Sequence, residues 1–325
     1  MFGEELVPFM NADDKWGYVN AKGEEVIAPL YDGALEFSPT GLAAVKDGDK
    51  WGYINKKGEF VIPVRFQYAF SFSKKGIAFV KQNDDWGAIN KKGKFVIKPQ
   101  FSLATEFEDN GLAWVSIGGK WGCINAKGEY VINPQFDMVT SFAKNGLAAV
   151  KIGNEWGYID EDGKYIINPQ FDGALEFASN GLAAVKDGDL WGYINQKGEV
   201  VIDASYNEAK NFSDNGLAAV LIGDNWGYIN KRGKFVINPQ FDEVSDFVDN
   251  KAVIGDDGKY YFTSKRGKLT EIEKVEGVLV LDVYDDAFVI IDAEEEYGIM
   301  DWKGNYIISS KYKKIKSAGR TLFDY

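Results

Sequence analysis

The chain has 325 residues, 45% apolar and 15% aromatic, and its 37 basic and 49 acidic side chains give a formal charge of −12. That apolar content excludes a disordered chain, the length fits one large or two ordinary domains, and the negative field argues against general nucleic-acid binding. The absence of histidine and the single cysteine, Cys123, exclude imidazole-based hydrolysis, His-ligated zinc or haem and an intramolecular disulfide.

The first ten residues, MFGEELVPFM, carry Glu4 and Glu5 where a secretory leader would carry cations, and no apolar run reaches spanning length; a cytoplasmic chain without a membrane span is expected. From Trp16 a repeat takes over. Trp-Gly pairs begin at Trp16, Trp51, Trp86, Trp121, Trp156, Trp191 and Trp226, each 35 residues after the last. Two degenerate copies follow, with Tyr260-Tyr261 and Tyr297-Gly298 in place of Trp-Gly. The expected organisation is a capping strand in 1–15, seven strong repeats in 16–257, and two degenerate repeats in 258–325 forming a C-terminal cap.

Within one unit, Leu42 to Lys46 is an apolar strand and Gly48-Asp49 a two-residue hairpin turn of the primed type. Trp51 to Asn55 is the next strand, Asn55 to Gly58 a type I turn with Gly where a left-handed residue is wanted, and Phe60 to Ile62 a third strand. A proline-containing link follows in most copies (Pro29, Pro99, Pro134, Pro169, Pro239), and then a fourth, less regular extended piece such as Tyr31 to Phe37. No segment shows a 3.6-residue period with caps, so helix is not expected.

The hairpin turn predicts a register in which Trp51 faces Lys46, Gly52 faces Val45 and Tyr53 faces Ala44. Equivalent pairs are Ala149/Tyr158, Ala184/Tyr193 and Ala219/Tyr228, and the bulk changes sides at Phe79/Ala88 and Trp114/Cys123, as directly opposed side chains should trade volume. Phe9/Tyr18 stands out as two large residues. The glycine of each Trp-Gly lies mid-strand, where it normally weakens pairing; bare backbone there is expected to receive a bulky neighbour, an indole or another aromatic from the adjacent repeat.

The segments KWGYINKKGEFVI (Lys50 to Ile62) and KWGCINAKGEYVINPQF (Lys120 to Phe136) closely resemble the bacterial WG-repeat family. The resemblance implies a binding or structural array and carries no catalytic signature to transfer. Each unit is too small to bury its own aromatics, so neighbours must stack. An all-β chain of tandem ~35-residue antiparallel hairpin or meander units is expected, stacked as an open solenoid or superhelix, with a β-propeller as the alternative. The open form is preferred because Leu6–Met10 and Leu322–Tyr325 look like duplicates of one strand.

Function is then expected to be non-catalytic: a binding or scaffold module for a protein partner, or alternatively a carbohydrate or cell-envelope binding module, with no cofactor and no metal. The tryptophans suit inter-repeat packing better than ligand platforms. The many acids recur at turns and single out no catalytic pair, and the turn cations Lys22, Lys57, Lys92, Lys127, Lys197, Arg232 and Arg266 suit a solvated rim. A basic cluster at Lys311, Lys313, Lys314, Lys316 and Arg320 is a candidate docking point. Specificity should sit where copies differ most, in the residues after the link: Tyr68, Leu103, Met138, Glu208 and Glu243, with Gly33 and Gly173 in the equivalent places.

Overall fold

The computed structural model describes residues 6–20, 22–248, 250–257, 259–271, 279–283, 287–291, 297–301, 305–312 and 314–315. Among them there is no helix, and the strands form nine four-stranded antiparallel sheets. The chain divides into two compact units, one of Met1–Pro134 with Gly277–Tyr325 and the other of Gln135–Glu276.

The sheet order follows the sequence as a meander. In the second sheet the strands are Gly33–Ala34, Leu42–Asp47, Lys50–Asn55 and Phe60–Phe66. The link and the extended piece after it therefore resolve differently from expectation. The proline lies inside a seven-residue edge strand, and only two residues of the following piece pair, as the first strand of the next sheet. An edge is where a strand tolerates proline, which cannot donate to a ladder.

The turns obey the sequence. Gly58 N–H donates to Asn55 O at 2.9 Å with Gly58 at φ +80°, and Asn55 Oδ1 accepts from Lys57 N and Glu59 N. The hairpin turns split into two φ patterns. Gly118-Gly119 and Asn83-Asp84 are positive at both residues, as a type I′ turn requires, whereas Gly48, Gly153, Gly188 and Gly223 are positive while their followers are not, as in type II′.

Register agrees with the predicted pairs at Trp51↔Lys46, Gly52↔Val45 and Tyr53↔Ala44, and at Ala88↔Phe79 and Cys123↔Trp114. The first repeat needs a correction. Its hairpin pairs Met10↔Trp16, one residue longer in the loop than Lys46↔Trp51, so Phe9 faces Gly17 and Pro8 faces Tyr18. Asn11 closes this longer loop by accepting from Asp13 N and Lys15 N. The conflict of two large residues vanishes. On its other side Val7–Met10 pairs with Lys314–Ile315, so the first sheet draws strands from both ends of the chain; Leu322–Tyr325 lies outside the described residues.

The sheets of Gly33–Phe66 and Gly173–Tyr206 are buried on both faces, which is why their strands read as continuous apolar runs. Ala43, Val45 and Ile54 join the core shared with the preceding sheet, while Leu42, Ala44, Trp51 and Tyr53 join the core shared with the following one. The unit 135–276 repeats this between its own sheets. A fully buried aromatic contributes about 1.5–3 kcal/mol, and Phe66, Tyr53 and Phe72 are all buried in one such core. Buried tyrosines tie repeat to repeat: Tyr53 Oη donates to Phe70 O at 2.8 Å and Tyr193 Oη to Lys210 O at 2.8 Å. Where Ala88 replaces that tyrosine, Phe79 on the neighbouring strand supplies the ring and stacks on Phe107 with centroids 5.0 Å apart, in the place where Tyr53 meets Phe72.

The Trp-Gly glycine proves to be a close-approach site, but for backbone rather than for an aromatic. A Cβ on Gly52 would lie 2.7 Å from Ile62 O and 2.8 Å from Val64 N; on Gly157 it would lie 2.6 Å from both Ile167 O and Pro169 N. The register jumps from Trp51↔Phe66 to Tyr53↔Ile62, so the edge strand bulges over the glycine. The bulge belongs to the same repeat. The expectation of an indole from the adjacent repeat is overturned because the bulged main chain already fills that space.

Candidate binding surface

The most variable positions of the repeat occupy one place in seven of the described sheets: they open the two-residue strand. Gly33 pairs with Lys46, Tyr68 with Lys81, Leu103 with Ser116, Met138 with Lys151, Gly173 with Lys186, Glu208 with Leu221 and Glu243 with Gly255. In most copies their neighbours play the same parts on both sides, the exceptions being Ser102, which donates to Ser116 O, and the half-buried Ala104 and Val139. The preceding residue braces the hairpin turn: Asp32, Asp137 and Asp172 accept from Gly48 N, Gly153 N and Gly188 N at 2.7–2.8 Å, and Asn207 accepts from Gly223 N at 2.8 Å. At Asp32 the hydrogen bond from Lys15, followed by that from Gly48 N, holds the carboxyl below its usual range. The following residue, Ala34, Ala69, Ala174, Ala209 or Val244, is buried. Between a brace and a core residue, one side chain is left to vary.

That side chain faces solvent. Tyr68 is 41% exposed, Leu103 and Met138 are each 51% exposed, and Glu208 and Glu243 are exposed as well. Gly33 and Gly173 are half-buried, for the indole of Trp51 or Trp191 lies over them, with Cη2 3.3 or 3.2 Å from where a Cβ would stand. In the unit 1–134 with 277–325, Tyr68 sits 5.3 Å from Trp51 and 5.7 Å from Trp86, and Phe70 stacks on Trp86 at 4.6 Å and 9°. Trp16, Trp51 and Trp86 are buried and belong to the cores. In the unit 135–276, Trp156, Trp191 and Trp226 are half-buried and pack against theirs, and Lys210 Nζ lies 5.4 Å over the Trp226 ring.

Within each unit the surface is thus a row of differing side chains, with an indole against Gly33, Tyr68 and Gly173. The flanking Lys46, Lys81, Lys151 and Lys186 were not singled out from sequence, although the hairpin register already placed Lys46 opposite Trp51. The acids mostly serve turns. Asp160 accepts from Asp162 N and Lys164 N, Asp242 from Asp257 N, and Asp84 exchanges hydrogen bonds with Gln67. The basic cluster from Lys311 to Arg320 lies outside the residues whose side chains are described. No helix among the described residues is long and apolar enough to cross a membrane.

No curated protein matches the sequence. Among solved structures, the chain is similar to a crystal structure of the eukaryotic initiation factor, with a TM-score of 0.69 at 10% identity over 96% of this chain and 97% of that one. It is also similar to the dihydro-heme d1 dehydrogenase NirN in complex with DHE, with a TM-score of 0.52 at 10% identity over 96% of this chain and 74% of that one. At such identities the likeness speaks for fold alone. The pattern of the WG containing repeat matches seven times, at residues 16–51, 51–84, 86–121, 121–156, 156–191, 191–226 and 226–260. With its repeated tryptophans in or against the cores and the glycines beside them under the bulged edge strands, the chain belongs to the family of the WG containing repeat.

Proposed function

We propose that the chain is a non-catalytic binding or scaffold module that offers its variable positions to a protein partner. The observation that carries this reading is a contrast within the repeat: Gln67 and Asn207 brace a hairpin turn and Ala69 and Ala209 are buried, while the exposed side chain between them changes from Tyr68 to Glu208. Binding surfaces differ from structural ones in this way, because packing positions meet the same neighbour in every copy. Exposed aromatic and long apolar side chains are the anchors that protein interfaces favour. The test is crosslinking and pull-down from native lysate with the whole chain and with a Tyr68→Ala/Leu103→Ala variant. A partner held by the parent and released by the variant is expected. No partner above background, or equal capture by both, overturns the reading.

A carbohydrate-binding reading has one observation of its own, the exposed Tyr68 ring set against the stacked Phe70 and Trp86. A glycan array read alongside intrinsic tryptophan fluorescence separates the two. Quenching that disappears in Tyr68→Ala favours the glycan, and silence across the array removes it.

A further inference from the structure

A second surface lies at the other end of the strands. The turn after each Trp-Gly strand has two positions before its glycine and one after. In most repeats their charges offset one another. Glu59, Glu129 and Glu199 follow the glycine and fold back to accept from Asn55, Asn125 and Asn195 Nδ2 at 2.7–2.8 Å. Two consecutive turns of the unit 135–276 break this habit. One carries Lys231, Arg232 and Lys234, and the next carries Lys265, Arg266 and Lys268. All six side chains are exposed, and among the described residues none pairs with a carboxylate.

The two turns are held side by side. Gly267 lies against the edge strand that leaves the first turn, its Cβ position 3.2 Å from Ile237 Cγ1 and 3.7 Å from Val236 O. Between the cations the strands expose Phe235 at 38%, Val236 at 37% and Leu269 at 40%. The strand Asn225–Asn230 separates this patch from the variable row by roughly 17 Å, so the two surfaces are distinct. The only like triple outside this pair, Lys91, Lys92 and Lys94, has turns with Glu59 and Glu129 on either side of it in sequence.

The geometry points to a docking site for an acidic segment of a protein partner in which apolar side chains alternate with carboxylates. Six unneutralised cations on a chain of net charge −12 attract an anion locally while the rest of the surface repels it. The exposed Phe235, Val236 and Leu269 choose among anions: they reward a ligand that brings apolar groups, and a phosphate backbone brings none. This inference rests on the reading of the chain as a protein-binding module and adds the chemistry of the partner and a second contact surface.

Fluorescence anisotropy with a labelled glutamate–tyrosine copolymer, with polyglutamate and oligo-dT as comparators, tests it on the whole chain. Binding of the copolymer tighter than that of either comparator is expected, weakening as salt rises. Reversal of Lys231, Arg232, Lys265 and Arg266 to Glu should weaken it by about tenfold or more. The matched reversal of Lys56, Lys57, Lys91 and Lys92 should leave it nearly unchanged, and Phe235→Ser/Leu269→Ser should remove the preference over polyglutamate. A set of Lys→Gln and Arg→Gln changes at the same four positions, checked by circular dichroism, guards against loss through misfolding. Tighter binding of oligo-dT, equal losses from both reversals, or no loss from the first overturns the proposal. If lysate capture through Tyr68 and Leu103 fails while copolymer binding survives, the module reading falls and this surface stands; if capture succeeds and copolymer binding is absent, only this surface falls.

Discussion

Replacing Gly52 with alanine asks whether the edge strand truly fills the space above the Trp-Gly pair. The added Cβ would stand 2.7 Å from Ile62 O, 2.8 Å from Val64 N and 3.0 Å from Pro63 C, against an ordinary contact beginning at 3.4 Å. All three atoms are main chain, so no side-chain rotation relieves the contact and the bulge must retreat by about 0.7 Å, the difference between 3.4 and 2.7 Å. Overpacking of this kind costs about 1–3 kcal/mol. Weakening a flanking ladder hydrogen bond at Trp51↔Phe66 or Tyr53↔Ile62 adds about 1 kcal/mol. Lower chain entropy in the unfolded alanine variant returns about 0.4–1 kcal/mol. A net loss of about 2–3 kcal/mol is expected. The control is Gly48→Ala, where φ is +59° and nothing lies within 4 Å; only the left-handed backbone resists, at about 1–2 kcal/mol. Urea denaturation followed by tryptophan fluorescence should place the Gly52 variant below the Gly48 variant. Hydrogen exchange should show the amides of Phe60–Phe66 opening first. A Gly52→Ala protein as stable as Gly48→Ala would refute the argument. Gly192→Ala extends the test, for Ala204 stands there in place of a proline and the clash with Ile202 O, at 2.6 Å, persists.

Other expectations follow from the cores. Phe79→Ala alone should cost about 3–5 kcal/mol by leaving a cavity, and Ala88→Tyr alone about 1–3 kcal/mol by crowding Phe79. The double change re-creates the Ala44/Tyr53 arrangement, so it should lie well above the sum of the two, and additive losses in a double-mutant cycle would refute the swap. Tyr193→Phe strips Lys210 O of its donor and should cost about 1–3 kcal/mol by denaturant titration, whereas a loss near zero would mean that water replaces the hydroxyl. Alkali should also unfold the protein cooperatively. Burial pushes the phenols of Tyr18, Tyr53, Tyr158, Tyr193 and Tyr228 above their usual range. Their folded values exceed the unfolded value near 10, so the stability they lend is whole below about pH 10 and is lost as pH rises beyond it. Tyrosinate absorbance should therefore rise in one step with the loss of the fold, and a gradual titration of these five tyrosines in an intact fold would contradict the burial argument.

The sequence by itself settled the period, the turns and the hairpin register. These are local properties: Asn55 and Gly58 fix one turn, Gly48 fixes the other, and the trading of bulk between Phe79 and Ala88 reports a pairing of residues nine apart. It also located the variable positions, because difference between copies is visible without coordinates. Tertiary structure decided what depends on where main chain passes. The partner of the Trp-Gly glycine is a bulge ten to twelve residues further on, and periodicity carries no record of a bulge. The longer first loop moved Phe9 from Tyr18 to Gly17 through one added residue. The side-by-side placement of Lys231, Arg232 and Lys234 with Lys265, Arg266 and Lys268 around Phe235 and Leu269 comes from stacking of repeats, since residues more than thirty apart become neighbours only when one turn packs on the strand before it.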